Sequence, residues 1–307
     1  MNTLPKKDKI RLKRGTVIEG KWHRNHYKVV RLLGSGTVGA VYLCSQNGRF
    51  VALKISEQSV NMTAEVQLLK TLNQMKVQDS RLGPSLLDVD DWEMPGGQKV
   101  SFYVMEYISG ESLPTFIQKH GASWVVVLLL GLLEQLDLIH RAGYVFGDLK
   151  SENIIVERHP PKIRLIDVGG MTKIGRSVKE YTNFYDRAYW RLGTRRAEPS
   201  YDLFSVVMVV LSIFYPNKFT RTTHNHTLIK RKLYQVKPLV PYAPVLMKAI
   251  EGKYKSAGQM QNDLRRLLTR RKMKDADEKR GMLYTELWIL FMMSSVYFGI
   301  YYYLSNI

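Results

Sequence analysis

The spacing of apolar residues changes character about a third of the way along the chain, and this limits the folds open to it. Up to residue 107 apolar residues fall in short runs of strand length: 27–33 and 40–45 on either side of a glycine-rich turn, then 50–55 and 100–107. Only 63–72 breaks the pattern, with Val66, Leu68, Leu69 and Leu72 on one face of a helix. From Trp124 onward the spacing is mostly helical. The runs 124–133 and 203–215 are nearly all apolar but too short to cross a bilayer, so they read as buried helices. A strand-rich first third before a helical remainder predicts an α+β fold in two lobes. With 307 residues, 45% of them hydrophobic and 24% charged, the chain can bury a sizeable core, and wholesale disorder is excluded. The single cysteine, Cys44, rules out a disulfide scaffold and a cysteine zinc site, and reads as a small core residue in a reducing compartment.

The formal charge of +19 predicts attraction to polyanions but does not inform the fold. It is concentrated in three blocks. Residues 1–31 hold ten Lys/Arg against Asp8 and Glu19; 203–250 hold seven and no acid; 253–280 hold ten against four acids. Beyond Glu286 there is no charge, and 287–304 form an 18-residue apolar run with Trp288 at one end and Tyr301–Tyr303 at the other. At 1.5 Å per residue that run would reach roughly 27 Å, close to the hydrocarbon thickness of a bilayer. It predicts a transmembrane helix. The preceding basic residues place the rest of the chain on the cytoplasmic side of a cell membrane, as a single-pass protein with its C-terminus outside. The block at 270–280 then touches anionic lipid. Blocks 1–31 and 218–237 suit DNA phosphates, bound without regard to sequence. Ser295 and Gly299 have the small-residue spacing of a helix pair, a route to a homodimer.

Four motifs carry chemistry. Gly34, Gly36 and Gly39, followed by Val41, form a G-x-G-x-x-G-x-V turn that lets backbone N–H groups approach phosphates. Alone it equally suits a glycine hairpin, and the strand-like 40–45 argues against a dinucleotide-binding turn, which needs a helix there. Lys54 ends the strand Val51-Ala52-Leu53-Lys54, within reach of phosphates, and Glu65 on the next helix is the nearby carboxylate to orient it. Asp148 stands five residues before Asn153, ahead of an apolar strand, so one loop offers a base and a metal ligand. Asp167 closes the strand Leu165-Ile166-Asp167 before Val168-Gly169. A phosphate cradle, a cation, metal-binding oxygens and a base are what phosphoryl transfer requires.

In this order, over roughly 25–268, the motifs resemble the eukaryotic-type (Hanks-type) protein kinases. The resemblance implies a two-lobed protein-kinase-like fold: a basic tail at 1–20, an N-lobe at 21–108, a C-lobe at 109–268, a basic juxtamembrane segment at 269–286 and the helix at 287–304. It also implies ATP and Mg²⁺, with Mn²⁺ as an alternative, and protein substrates. Gly34, Gly36, Gly39 and Val41 would cover the nucleotide, and Lys54 would pair with Glu65. The Glu106 carbonyl and Ile108 backbone would meet adenine. Asp148 would take the substrate hydroxyl proton, Lys150 would support the γ-phosphate, and Asn153 and Asp167 would hold the metal. Asp202 would brace the catalytic loop from a buried helix. Within the family, the tail anchor and short basic C-lobe are similar to the YabT-type sporulation kinases of spore-forming bacteria.

The chain departs from the family pattern. His-Arg-Asp becomes Phe146-Gly147-Asp148, so no arginine is present to read an activation-loop phosphate, although Thr172, Ser177 and Thr182 offer hydroxyls. Asp-Phe-Gly becomes Asp167-Val168-Gly169. Ala-Pro-Glu reads as replaced by Ala188-Tyr189-Trp190, and its arginine partner is missing near Lys253-Tyr254-Lys255. The sequence reading is a membrane-anchored serine/threonine protein kinase, activated by DNA. The rival is a catalytically weak kinase-fold module that tethers DNA or a protein partner.

Overall fold

The computed structural model describes residues 10–36, 39–56, 59–74, 82–271, 273, 280, 287–288, 290–292 and 294. The chain divides into two compact units, 1–260 and 261–307. In the second unit, residues 261–271 are helical.

The first unit opens with β1 (Val17–Glu19), β2 (His26–Ser35), β3 (Ala40–Gln46), β4 (Arg49–Ser56), helix α1 (Ser59–Gln74), β5 (Leu86–Glu93) and β6 (Lys99–Glu106). The strands form one antiparallel sheet in the order β1-β2-β3-β4-β6-β5. Strand alternation divides its side chains between two faces. One face holds a closed core of Ile18, Tyr27, Val29, Tyr42, Cys44, Leu53, Ile55, Phe102 and Val104, with Ile10 and Leu12 packed onto it. Cys44 is fully buried there, and loss of contact with water pushes its thiol up to about 12. The Tyr42 hydroxyl ties down the incoming segment, accepting from Leu12 N and donating to the Ile10 carbonyl, both at 3.0 Å. Residues 10–20, within the stretch read as a basic tail, therefore cover the sheet and supply β1. The other face carries the cross-strand row Val41, Lys54, Tyr103, and α1 lies on that side, its Glu65 meeting two of the three.

The helical remainder contains β7 (Glu111–Ser112), α2 (Leu113–His120), α3 (Trp124–Arg141), β8 (Tyr144–Val145), β9 (Ile154–Arg158), β10 (Pro161–Leu165), β11 (Thr172–Lys173), α4 (Pro199–Phe214), α5 (Asn225–Gln235) and α6 (Ala243–Ile250). Small sheets β10-β9-β7 and β11-β8 frame the loops that precede and follow β9–β10. Helix α4 is the central pillar, with twelve consecutive residues buried from Tyr201 to Ser212. Its burial on all sides explains why its sequence lacks a polar face.

The membrane expectation is corrected. Among the described residues no helix is long and apolar enough to cross a bilayer, so neither a single-pass placement nor an outward C-terminus stands. The reason is length and polarity: α4 is apolar but has 16 residues, and α3, with 18, contains Glu134, Asp137 and Arg141, whereas a span needs about 20 continuous apolar residues. Of 287–304, only 287–288, 290–292 and 294 are described. The rest of that run, including Ser295 and Gly299, lies outside the described residues.

Candidate active site

Sheet register begins the site. Val41, Lys54 and Tyr103 face the same way because they are direct partners across β3, β4 and β6. Glu65, one helical turn before Leu69 on α1, meets Lys54 Nζ at 2.6 Å and accepts from the Tyr103 hydroxyl at 2.9 Å. All three groups are buried. Burial, with the Glu65 carboxylate beside it, raises the Tyr103 hydroxyl well above its ordinary range, so it stays a donor. The sequence reading identified Lys54 and Glu65; it missed Tyr103, whose register opposite Lys54 was the available signal.

The glycine turn follows the same strands. Gly36 N donates to Gly39 O at 2.9 Å. A Cβ on Gly39 would lie 2.3 Å from the Ile55 carbonyl, so only glycine lets the turn close over β4. Gly34 and Gly36 have no heavy atom within 4 Å of a Cβ position, which leaves open space above the Lys54 face. At the end of β6, Glu106 N donates to Ser85 O at 2.8 Å, and Ile108 is buried two residues on. Arg164 NH2 meets the Glu106 carboxylate at 3.0 Å and the Gly83 carbonyl at 3.0 Å. Although burial opposes it, Arg164 holds the Glu106 carboxyl below its ordinary value.

The loop 146–153 is fixed from beneath. Asp202 on α4 is wholly buried; its carboxylate accepts from Phe146 N at 2.7 Å and Gly147 N at 3.0 Å, and contacts His140 Nε2 at 2.9 Å. Asp148 thereby projects from an anchored backbone. One of its oxygens is paired with Lys150, and the other accepts from Thr182 Oγ1 at 2.9 Å. Burial works against the Lys150 ammonium, but Asp148, Asp167 and Glu152 hold it above its ordinary value, so it stays charged. Asn153 Nδ2 donates to the Asp148 carbonyl at 3.0 Å, and Ile166 N donates to the Asn153 carbonyl at 3.0 Å, which brings the strand before Asp167 alongside. Asp167 itself is exposed and accepts from Gly169 N at 3.1 Å. No ion pair joins Lys54 to Asp167 among the described residues.

The donor set suits a hard divalent cation. Asn153 has its amide nitrogen committed to the backbone, which leaves its oxygen as a ligand atom, and Asp167 adds an exposed carboxylate. Negative charge gathers here: desolvation and the Asp167, Glu65 and Asp148 carboxylates raise Glu180 above its ordinary value, a crowding that a cation would relieve. The open space over Gly34 and Gly36, on the sheet face that carries Lys54, suits a polyphosphate.

The segment after Asp167 has its own anchor, which the sequence reading missed. Glu198, at the start of α4, meets Arg187 NH2 at 2.6 Å, and Arg187 also donates to Ser200 Oγ and Thr194 O, each at 2.7 Å. The guanidinium holds the Glu198 carboxyl below its ordinary value despite desolvation. The structure makes an acid–arginine pair within one segment, between Arg187 and the Glu198 of Ala197-Glu198-Pro199. The signal was present in that tripeptide; the partner eleven residues upstream was not legible.

Compared with known proteins, the chain matches the family described as "Protein kinase domain" over residues 27–283. It is 46% identical over 255 residues to "Serine/threonine-protein kinase YabT" of Bacillus subtilis, covering 82% of this chain and 75% of that protein. It is 28% identical to "Cyclin-dependent kinase B2-1" of rice, Oryza sativa subsp. japonica, covering 59% of this chain and 60% of that one. It is 29% identical to "Serine/threonine-protein kinase F" of Synechocystis, covering 60% of this chain and 43% of that protein.

Proposed function

The chain belongs to the protein kinase family and is a serine/threonine protein kinase, and we propose that Lys54, Glu65, Asp148, Lys150, Asn153 and Asp167 are the residues that carry its phosphoryl transfer. The observation behind this is the buried Lys54–Glu65 pair at 2.6 Å, made below open glycine backbone. A buried charge pair is costly unless its geometry is used, and here it fixes an ammonium facing the nucleotide side.

When bound, ATP supplies the phosphoryl group, and a divalent metal ion, generally Mg²⁺, offsets its charge. Gly34 and Gly36 leave room for phosphates, and Val41 lines the same sheet face. Lys54 presents positive charge, and Glu65, itself held by Tyr103, keeps it from turning away. The Glu106 carbonyl and the Ile108 backbone meet the adenine edge. Asn153 and Asp167 hold the metal. Asp148 orients the substrate hydroxyl and accepts its proton, and Lys150, paired with Asp148, supports the transferred group. Catalysis of this kind is mostly positioning and electrostatics. The test is transfer of labelled phosphate from ATP to a protein substrate. Lys54→Ala and Asp148→Ala should each lower the rate by on the order of 10²-fold or more without loss of folding. Wild-type rates in both variants would refute the assignment.

A second role is favoured by α5. Lys230 and Arg231 are exposed there with Tyr234, in a stretch without an acidic residue, and Lys237 follows. These cations suit DNA phosphates, and the aromatic ring suits a base. DNA that gathers several kinase molecules on one strand raises activity by letting them phosphorylate each other, and excess DNA disperses them. Activity should therefore pass through a maximum as DNA is added. With about four contacts, affinity should fall with salt on a log–log slope of roughly −4. Replacing Lys230 and Arg231 with Gln should flatten that slope; an unchanged slope counts against the role. Lys232 is left out of the substitution because it is seated 4.6 Å over the Tyr215 ring.

A further inference from the structure

The positive charge near Asp148 is held differently from that at the exposed Lys230 and Arg231. Thr182, which reaches Asp148, is followed by Phe184 and Tyr185, and the Tyr185 hydroxyl lies 2.9 Å from Ser151 Oγ in the catalytic loop. From there an unbroken wall of rings continues, with Phe184, Tyr185 and Trp190 buried and Tyr215 and Phe219 partly exposed. Phe184 packs against Tyr185 at 5.3 Å, Trp190 at 5.9 Å and Phe219 at 5.3 Å, and Phe219 packs against Tyr215 at 5.5 Å. Three cations are seated on this wall. Lys218 Nζ lies 5.0 Å over Tyr185, Arg221 lies 4.5 Å over Tyr189, and Lys232 lies 4.6 Å over Tyr215.

Their charges are nearly unmatched. Lys218 has one carboxylate, Glu152, at 3.8 Å; Arg221 donates to the Tyr189 carbonyl; Lys232 has no carboxylate within ion-pair distance among the described residues. Ring faces fix the position of a cation without cancelling its charge. A fixed array of unneutralised cations is preorganised for anions, since little side-chain freedom is lost when one binds. Lys218 keeps a left-handed backbone, φ 53, to hold its place.

We propose that this wall is the docking surface for an acidic segment of the protein substrate, Asp or Glu side chains flanking the Ser or Thr that enters at Asp148. This rests on the kinase reading above and names its substrate class. The contacts run from Asp148 through Thr182 and Tyr185 to Lys218, so the nearest of these cations stands beside the residues that flank a hydroxyl at Asp148. A nucleic-acid duplex lying on the wall would cover the approach to Asp148, which would oppose substrate entry, so peptide is the occupant the geometry favours.

The test uses the full chain and two fluorescent peptides with the same central serine, one flanked by Asp and Glu, the other by Gln and Ala. Peptide binding is followed by anisotropy without ATP, and transfer is followed with ATP. The acidic peptide should bind and show a KM lower by about five- to tenfold, as expected of two partly shielded charge pairs. In Lys218→Met/Arg221→Met the two peptides should become alike, whereas Lys218→Arg and the remote exposed Lys162→Met should keep the preference. Equal use of both peptides by the wild type, or a preference that survives the double substitution, overturns the proposal. So does competition by DNA that vanishes with the same double substitution, which would give the wall to nucleic acid. Selective binding of the acidic peptide with no transfer to either would leave the docking surface standing and refute the kinase assignment instead.

Discussion

Gly147 is the residue where the chain departs most from its family, and its environment explains why. Its φ is +83, and a Cβ there would lie 2.5 Å from the Gly170 carbonyl; a Cβ on Gly170 would lie 2.9 Å from that of Asp148. Two backbones, one before Asp148 and one after Asp167, therefore touch where other kinases place an arginine side chain. The missing arginine was legible in the sequence. That no side chain fits there was not, because the clash is with residues more than twenty positions away. Gly147→Ala should cost at least about 2 kcal/mol in urea unfolding, from the left-handed φ and the clash together. Gly147→Arg should cost more and should not confer dependence on an activation-segment phosphate. A Gly147→Arg protein with wild-type stability would contradict this account.

Among the elements, the β9–β10 hairpin is the one that joins the 106–108 backbone to the Asp167 end of the proposed site. Arg164 on β10 bonds Glu106, at the end of β6, and Glu157 on β9, and stands three residues before Asp167. Its side chain is 11% exposed, against 26% for that of Glu106. Removing the guanidinium would leave Glu106 partly solvated, so the expected loss is in the position of the 106–108 backbone and not in folding. Arg164→Met should raise KM for ATP by about tenfold with kcat little changed, as two charge-assisted bonds are lost. Arg164→Lys should recover only part of this, since an ammonium cannot span both carboxylates as a fork does. An unchanged KM for ATP in Arg164→Met would remove the hairpin from nucleotide binding.

For the first unit as a whole, the loop between β1 and β2 is pinned to β5, and the pin depends on pH. His23 Nδ1 lies 2.6 Å from Asp88, and Asp90 accepts from Trp22 N at 3.0 Å and His23 N at 2.8 Å. Asp88 raises the exposed His23 above 6.5, and Asp90 adds to the effect. Although burial opposes it, hydrogen bonds from Tyr27, Asn25 and His23 hold Asp88 below 3.8. A raised histidine stabilises fully below its unfolded value and loses that contribution as pH rises through its folded value. A lowered carboxylate does the reverse, losing its contribution as pH falls through its own folded value. Thermal stability should therefore be highest between about pH 4 and 6.5 and should decline above that range. His23→Gln should flatten the decline above 6.5 and leave the acid limb in place. An alkaline limb identical in the variant would show that His23 is not the group responsible.

The amino-acid sequence by itself determined which short segments become strand or helix. Short apolar runs of strand length at 27–33, 40–45, 50–55 and 100–107, and the longer apolar runs from Trp124 and Leu203, are local patterns set by burial. They matched β2, β3, β4, β6, α3 and α4. It also put the chemical residues in the order of a phosphotransferase, because each motif is a run of neighbours. Strands β1 and β5 were not legible: β5 reads LLDVDDWE, and its acids are used as partners for the β1–β2 loop, a pairing made across more than sixty residues. The apolar run at 287–304 met every local criterion for a membrane span, yet among the described residues no helix qualifies. Tertiary structure alone decided that Tyr103 supports Glu65, that Arg187 answers Glu198 and that ring faces hold the cations beside Asp148. Each of these depends on which distant surfaces pack together. Hydropathy and spacing report the burial of a segment, not the identity of the group that fills its remaining hydrogen bond or balances its charge.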